Sequence, residues 1–425
     1  MRWRTWLAIV SVAFPACAGP PPARYDGGLS ADQNSGDPGS PGSAADAGAD
    51  GGPPTSTADA SSADAGAFVD TQEIDDYLTA QMNAAHAPGM AVAIVKGDHV
   101  GWSKGYGLAD IDAGRPVTAD TLFLLASISK TVTSVALMRI LEDPSRHLSL
   151  DDDVGASLPF TVRNPSYPGT PITFRMLLTH TSSFDGAPDL ESFTVDGDPT
   201  ESLHDFLADA VTKSESWSAA KPGTAYSYSN IGASLAGYLV EAISGQTLEE
   251  YCRAQIFAPL GMTETSWFLR GLDPTHVAMP YELASGTYQA QGSYGVLFYP
   301  ATELRTSANQ LARFLIMFAQ HGRWESARIL SAATVDEMRR VQFPELDGAQ
   351  GLIWYYTDDD STRVLGHSGG YFGVSTDMYF DPATGAGYVI LMNGGQMLAN
   401  YADDAANAAI YALNVEMMGL ANSLP

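Results

Sequence analysis

The chain has 425 residues with 49 acidic against 22 basic side chains, giving a net charge of -27 at pH 7. Phosphate binding needs a basic stripe and none is present, so nucleic acid is excluded as a partner. Only two cysteines occur, Cys17 and Cys252, and the first lies in a processing region, so no disulfide forms within the folded part.

Met1-Arg2-Trp3-Arg4 is a short cationic start, and Trp6 to Phe14 is an apolar run too short to span a bilayer. Residues 1–17 therefore read as a secretion signal, which places the protein in the periplasm or cell envelope of a bacterium. Phe14-Pro15-Ala16-Cys17 looks like a degenerate lipoprotein box, so Cys17 is read as a lipidation site and membrane anchor. The alternative is cleavage at Ala16-Cys17-Ala18, with Cys17 lost from the mature protein. From 18 to 66 the chain is mostly Ala, Gly, Pro, Ser and Asp, with Tyr25 and Leu29 its only large apolar side chains. Too little apolar surface is available there to offset the entropy of ordering the backbone, so the segment reads as a disordered tether.

The folded domain is expected over residues 67–421. Ile74, Tyr77, Leu78 and Met82 recur at helical spacing, and Met90 to Trp102 is two apolar runs around Gly97-Asp98, a hairpin. Helical patterns follow at Thr131 to Leu141, Gly232 to Ile243 and Ser307 to Phe318, the last opened by Ser307-Ala308-Asn309-Gln310 as a capping box. Ser375 to Phe380 and Gly387 to Met392 flank a turn, and an Ala-rich helix runs from about Tyr401 to Met418. Strands thus come from both ends of the domain with helices between. The order predicts an α/β (α+β) fold: an antiparallel β-sheet flanked by helices, with an all-helical region inserted between its first and last strands.

Ser127-Ile128-Ser129-Lys130 stands at the start of a helix, so Ser127 and Lys130 project on one side and the free N–H groups of the helix start can receive an oxyanion. Lys130 must be neutral to act as a base, which burial or a nearby cation arranges by lowering its pKa from about 10.4. The same four-residue pattern recurs at Ser218-Ala219-Ala220-Lys221 but runs into Pro222-Gly223, so it is read as a loop. Tyr226-Ser227-Tyr228-Ser229-Asn230 leads into a helix. There Tyr228 can carry a proton between nucleophile and leaving group, and Asn230 can hold Lys130 and a substrate amide. Gly366-His367-Ser368-Gly369-Gly370 precedes a strand and also matches the G-x-S-x-G elbow of α/β-hydrolases. That elbow needs its histidine after the serine, and none of the eight histidines follows Ser368. His180 reads as a residue that orients a loop by hydrogen bonding, and Cys252 as a core thiol. No cluster has metal-ligand spacing, and no cofactor is predicted.

With these segments in order, the chain from about 68 to 420 resembles the serine β-lactamase-related family that joins class C β-lactamases, DD-peptidases (penicillin-binding proteins) and β-lactamase-like esterases. Ile172 to Ser183, Ile256 to Met262 and Ile329 to Val335 add to the likeness. The resemblance implies a Ser127 nucleophile, a Lys130 base, a Tyr228 proton carrier and an oxyanion hole from the N–H groups of Ser127 and Gly370. It also places Asn230, His367 and Gly369 at the substrate. The chain departs from the class C pattern in three ways. His367-Ser368-Gly369 replaces Lys-Thr-Gly and removes a permanent cation that would grip a carboxylate. Ser183 stands where a glycine is usual, and Ala301-Thr302-Glu303-Leu304 replaces a Gly-rich turn. The expected activity is hydrolysis of small esters or amides through an acyl-enzyme. The rivals are a DD-carboxypeptidase acting on peptidoglycan peptides and a catalytically silent binding protein of the same fold.

Overall fold

The computed structural model describes residues 71–185, 190–359, 362–395 and 404–424. The expected signal peptide, Cys17 and the tether over 18–66 lie outside the described residues. Helix α1 (Gln72–Ala84) leads into strands β1 (Gly89–Lys96), β2 (His99–Asp110) and β3 (Arg115–Pro116). The longer helices of the insert are α2 (Ser129–Leu141), α3 (Asn230–Ser244) and α4 (Ala308–Ala319). Strands β4 (Tyr355–Asp359), β5 (Thr362–Tyr371), β6 (Val374–Phe380) and β7 (Ala386–Met392) precede helix α5 (Asp404–Ser423).

The seven strands form one sheet in the order β4-β5-β6-β7-β1-β2-β3, with neighbours antiparallel. The first strand of the chain pairs with the last, Ala91 opposite Leu391 and Ala93 opposite Val389. Side chains alternate across the sheet. Met90, Val92 and Ile94 pack with Leu78 of α1 and Leu413 and Met417 of α5 in one core. Ala91, Ala93 and Val95 turn to the other face and join Leu311, Leu315 and Phe318 of α4 in a second. Both faces are covered, which is why β1 reads as an unbroken apolar run in place of an alternating one.

The insert between β3 and β4 is helical in its main elements, as expected. It also carries two-stranded ladders that the sequence did not signal, such as Phe123–Leu124 with Arg305–Thr306 and Thr194–Asp196 with Tyr294–Val296. Segment 366–370, expected before a strand, lies inside β5. The Ser307 side chain caps α4 by accepting from the Gln310 N–H at 3.3 Å. The Gln310 carboxamide does not complete the capping box; its oxygen accepts from the Glu264 N–H at 2.9 Å instead. No helix among the described residues is long and apolar enough to cross a membrane.

Candidate active site

Ser127 lies in a 3-10 turn, Ala126–Ile128, that runs directly into α2. Ala126 takes φ +48, a left-handed backbone that turns the Phe123–Leu124 strand into the helix. Of the side chains from Thr121 to Met138, Ser127 alone is not buried. One turn on, Lys130 is fully buried, and its Nζ donates to Ser127 Oγ at 2.8 Å and to the Ala301 carbonyl oxygen at 2.9 Å. Lys130 Nζ also stands 4.9 Å from the centre of the half-buried Tyr228 ring.

The segment supplying that carbonyl is fastened to both helices. Ser129 Oγ accepts from the Leu304 N–H at 3.0 Å, Thr133 Oγ1 donates to the Pro300 carbonyl at 2.7 Å, and Ser234 Oγ of α3 donates to Phe298 at 3.1 Å. Glu303, two residues beyond Ala301, is fully buried. Burial, against the pull of Arg305 at 3.5 Å, pushes its carboxyl up to about 8.

Strand β5 forms the other wall. A Cβ at Gly369 would fall 2.4 Å from the Leu125 carbonyl oxygen and 3.0 Å from the Ser127 nitrogen, so only glycine lets the strand approach the turn this closely. Thr376 Oγ1 of β6 donates to the same Leu125 carbonyl at 2.8 Å. The Ser368 N–H donates to the Tyr355 hydroxyl on the β4 side at 3.1 Å. Two residues later the Gly370 N–H turns to that same edge, beyond the last β4 pairing at Gly366. Ser368 Oγ pairs with the Tyr355 hydroxyl at 2.8 Å, which in turn meets Tyr379 at 2.6 Å, on the sheet face opposite His367 and Gly369. The Ser368 side chain is therefore turned away from the Ser127 wall, which disposes of the elbow reading.

His367 is buried, and its Nδ1–H donates to the Ser368 carbonyl at 2.5 Å. Burial, reinforced by the Lys130 charge, holds its pKa down at about 3, so the ring is neutral with its remaining lone pair on Nε2. His180 is also buried, and burial with Lys130 and His367 nearby keeps its pKa well below the usual 6.5.

The structure thus brings Ser127, Lys130, Tyr228, His367, Gly369 and Gly370 together. Asn230 opens α3, but its Oδ1 is buried and accepts no hydrogen bond. The expectation that it holds Lys130 is corrected: Lys130 Nζ donates to the Ala301 carbonyl, and Asn230 Oδ1 takes no part. Sequence reasoning missed Ala301, which contributes a backbone oxygen, and Tyr355 and Thr376, which sit on neighbouring strands. The Ser218–Lys221 copy lies in an irregular loop, and Cys252 is a buried thiol whose pKa burial pushes up. A cavity of about 650 Å³ at the C-terminal end of α2, lined by Arg139, Arg146 and Tyr251 among others, includes none of the residues predicted for the site.

The Beta-lactamase family model matches residues 74–413. The chain belongs to this family. Protein flp of Staphylococcus aureus (strain N315) is 26% identical over 324 residues, covering 76% of this chain and 63% of flp, so the chain spans under two thirds of that curated relative. The octameric penicillin-binding protein homologue from Pyrococcus abyssi superposes with a TM-score of 0.70 at 27% identity, over 83% of this chain and 78% of the other. The D-amino acid amidase from Ochrobactrum anthropi SV3 gives 0.66 at 22% identity, over 83% of this chain and all (100%) of the other, a likeness of fold. Ser183, read from the sequence as standing where a glycine is usual, takes the left-handed backbone that glycine favours, at φ +64, with its Oγ accepting from Asn164 Nδ2 at 3.0 Å.

Proposed function

We propose that the chain is a serine hydrolase that cleaves small esters or amides through an acyl-enzyme on Ser127. The observation that carries the reading is the fully buried Lys130 with Nζ 2.8 Å from Ser127 Oγ, a separation that permits proton transfer. In its neutral form Lys130 takes the hydroxyl proton as Ser127 Oγ bonds to the acyl carbon. The bond to the leaving oxygen or nitrogen breaks, and the proton returns to it by way of Tyr228. Water then repeats the sequence in reverse and frees the acid. The N–H groups of Ser127 and Gly370 hold the oxyanion, and Asn230 Oδ1 accepts from a substrate amide. A neutral His367 supports a leaving group without a carboxylate, since no fixed cation waits for one there.

Mass spectrometry after exposure to a fluorophosphonate should find an adduct on Ser127, and Ser127→Ala should abolish hydrolysis of p-nitrophenyl butyrate. A label elsewhere, or an active variant, would overturn the reading; a folded protein that forms no adduct would return the chain to a binding role. The likeness to the penicillin-binding protein homologue favours a second reading, a DD-carboxypeptidase. Release of D-alanine from a D-Ala-D-Ala peptide, with no hydrolysis of the butyrate ester, would select it. We also propose export through residues 1–17 and lipidation of Cys17, for which a diacylglyceryl group on Cys17 is the deciding measurement.

A further inference from the structure

His180 holds the chain on both sides of Tyr228. Its carbonyl oxygen accepts from the Ser227 N–H at 2.7 Å, and its Nδ1 accepts from the Ser229 N–H at 3.2 Å. Its ring lies 4.5 Å from the Tyr228 ring, centre to centre, tilted by 38°. The Ser229 N–H precedes the first turn of α3 and has no acceptor within the helix, while the Ser229 side chain is occupied by Gly232 and Asp185. Reaching both peptide groups from one residue coincides with a left-handed backbone at His180, φ +56.

The tautomer follows from this geometry. A ring nitrogen that accepts from an N–H carries a lone pair, so the proton of the neutral imidazole is on Nε2. That Nε2–H is buried and has no hydrogen-bond partner. An unusual backbone and a sealed, unpaired donor are both unfavourable. Their meeting in one residue beside Tyr228 and Lys130 points to a role that the packing of the loop does not require. A protonated ring would turn Nδ1 into a donor facing the Ser229 N–H and place a buried cation beside Lys130, and burial opposes it.

We propose that His180 is a positioning residue for Tyr228: a neutral imidazole, protonated on Nε2, that fixes the peptide groups flanking the phenol and backs its ring. This rests on the proton-carrying role given to Tyr228 above. His180 acts through Tyr228, so its removal should lower the rate of the chemical step and leave substrate binding in place. It should also cost nothing where Tyr228 can no longer carry a proton.

The test uses purified full-length protein and p-nitrophenyl butyrate, with kcat and KM measured separately. Tyr228→Phe should lower kcat by about a hundredfold, and His180→Leu by a similar factor with KM within about threefold. His180→Asn keeps an acceptor near the Nδ1 position and tolerates a positive φ, so it should recover at least about tenfold of the loss. In the Tyr228→Phe background neither His180 variant should cost more than about threefold further. Undiminished kcat in a folded His180→Leu, equal losses in Leu and Asn, or losses that multiply with Tyr228→Phe would overturn the proposal. Where His180→Leu does not fold, His180→Asn in the two backgrounds decides by the same multiplication. A Tyr228→Phe enzyme with full kcat would overturn the role of Tyr228 itself, and that single variant separates the two failures.

Discussion

At Gly369 the wall of the site comes closer to Ser127 than any side chain permits. Gly369→Ala would drive a methyl group against the Leu125 carbonyl and the Thr376 hydroxyl, each 2.4 Å from the Cβ position. The turn must move to relieve it. The expected outcome is a loss of about 1–3 kcal/mol in a thermal or denaturant melt and a fall in kcat of about a hundredfold or more. A variant with full activity would show that the strand is not what sets the position of Ser127. Gly369 was legible because a glycine-rich run suggests close backbone approach. The proximity of Ser127, Lys130 and Tyr228 was legible because residue types that can share a proton are visible as side chains in the sequence. The Ala301 carbonyl was not, since every residue carries one and only the fold decides which oxygen meets Lys130. Asn230 shows the converse: it opens α3 as its place before a helical pattern suggests, yet its Oδ1 does not meet the partner expected for it.

Helices were easier to read than strands. The pattern from Thr131 to Leu141 falls within α2, and Gly232 to Ile243 within α3, because apolar spacing persists over three or four turns. The Ser307 cap was visible too, and Ser307→Ala should cost about 1 kcal/mol of stability, read from the denaturant midpoint, with kcat unchanged. An unaltered midpoint would mean that the cap contributes nothing to α4. Strand β4 escaped notice because its five residues, Tyr-Tyr-Thr-Asp-Asp, end in two aspartates, which strands disfavour. The two- and three-residue ladders named in the insert are too short to leave any periodicity. They form because the insert is already folded around them, and tertiary packing rather than local preference decides such pairings.

For the whole molecule, the ordering of strands at both ends and helices between was enough to give the architecture, whereas buried charge was hidden. Glu303 looked like a change in a turn. In the structure its carboxyl is buried, with a pKa raised from 4.5 to about 8. Between those two values the folded state holds a proton that the unfolded chain has released. Stability from this group is therefore complete below about pH 4.5, falls as pH rises towards about 8, and is level above it. The melting temperature of Glu303→Gln should lose that part of the decline, seen as a difference from the parent protein over the same range. Parallel curves would show that Glu303 is ionised when folded.

The pairing of β1 with β7 has a consequence in time. Met90 lies opposite Met392, and nearly the whole domain is synthesised between them. Such distant partners make folding slow, since a very long loop must close before the central ladder rewards it. Ser127 and Lys130 leave the ribosome early, but the strand carrying Gly369 and the β7 strand that seals the sheet follow more than two hundred residues later. A nascent or truncated chain therefore carries Ser127 and Lys130 without the strand that packs against their turn, and the reactivity proposed for Ser127 is expected only once that strand is in place.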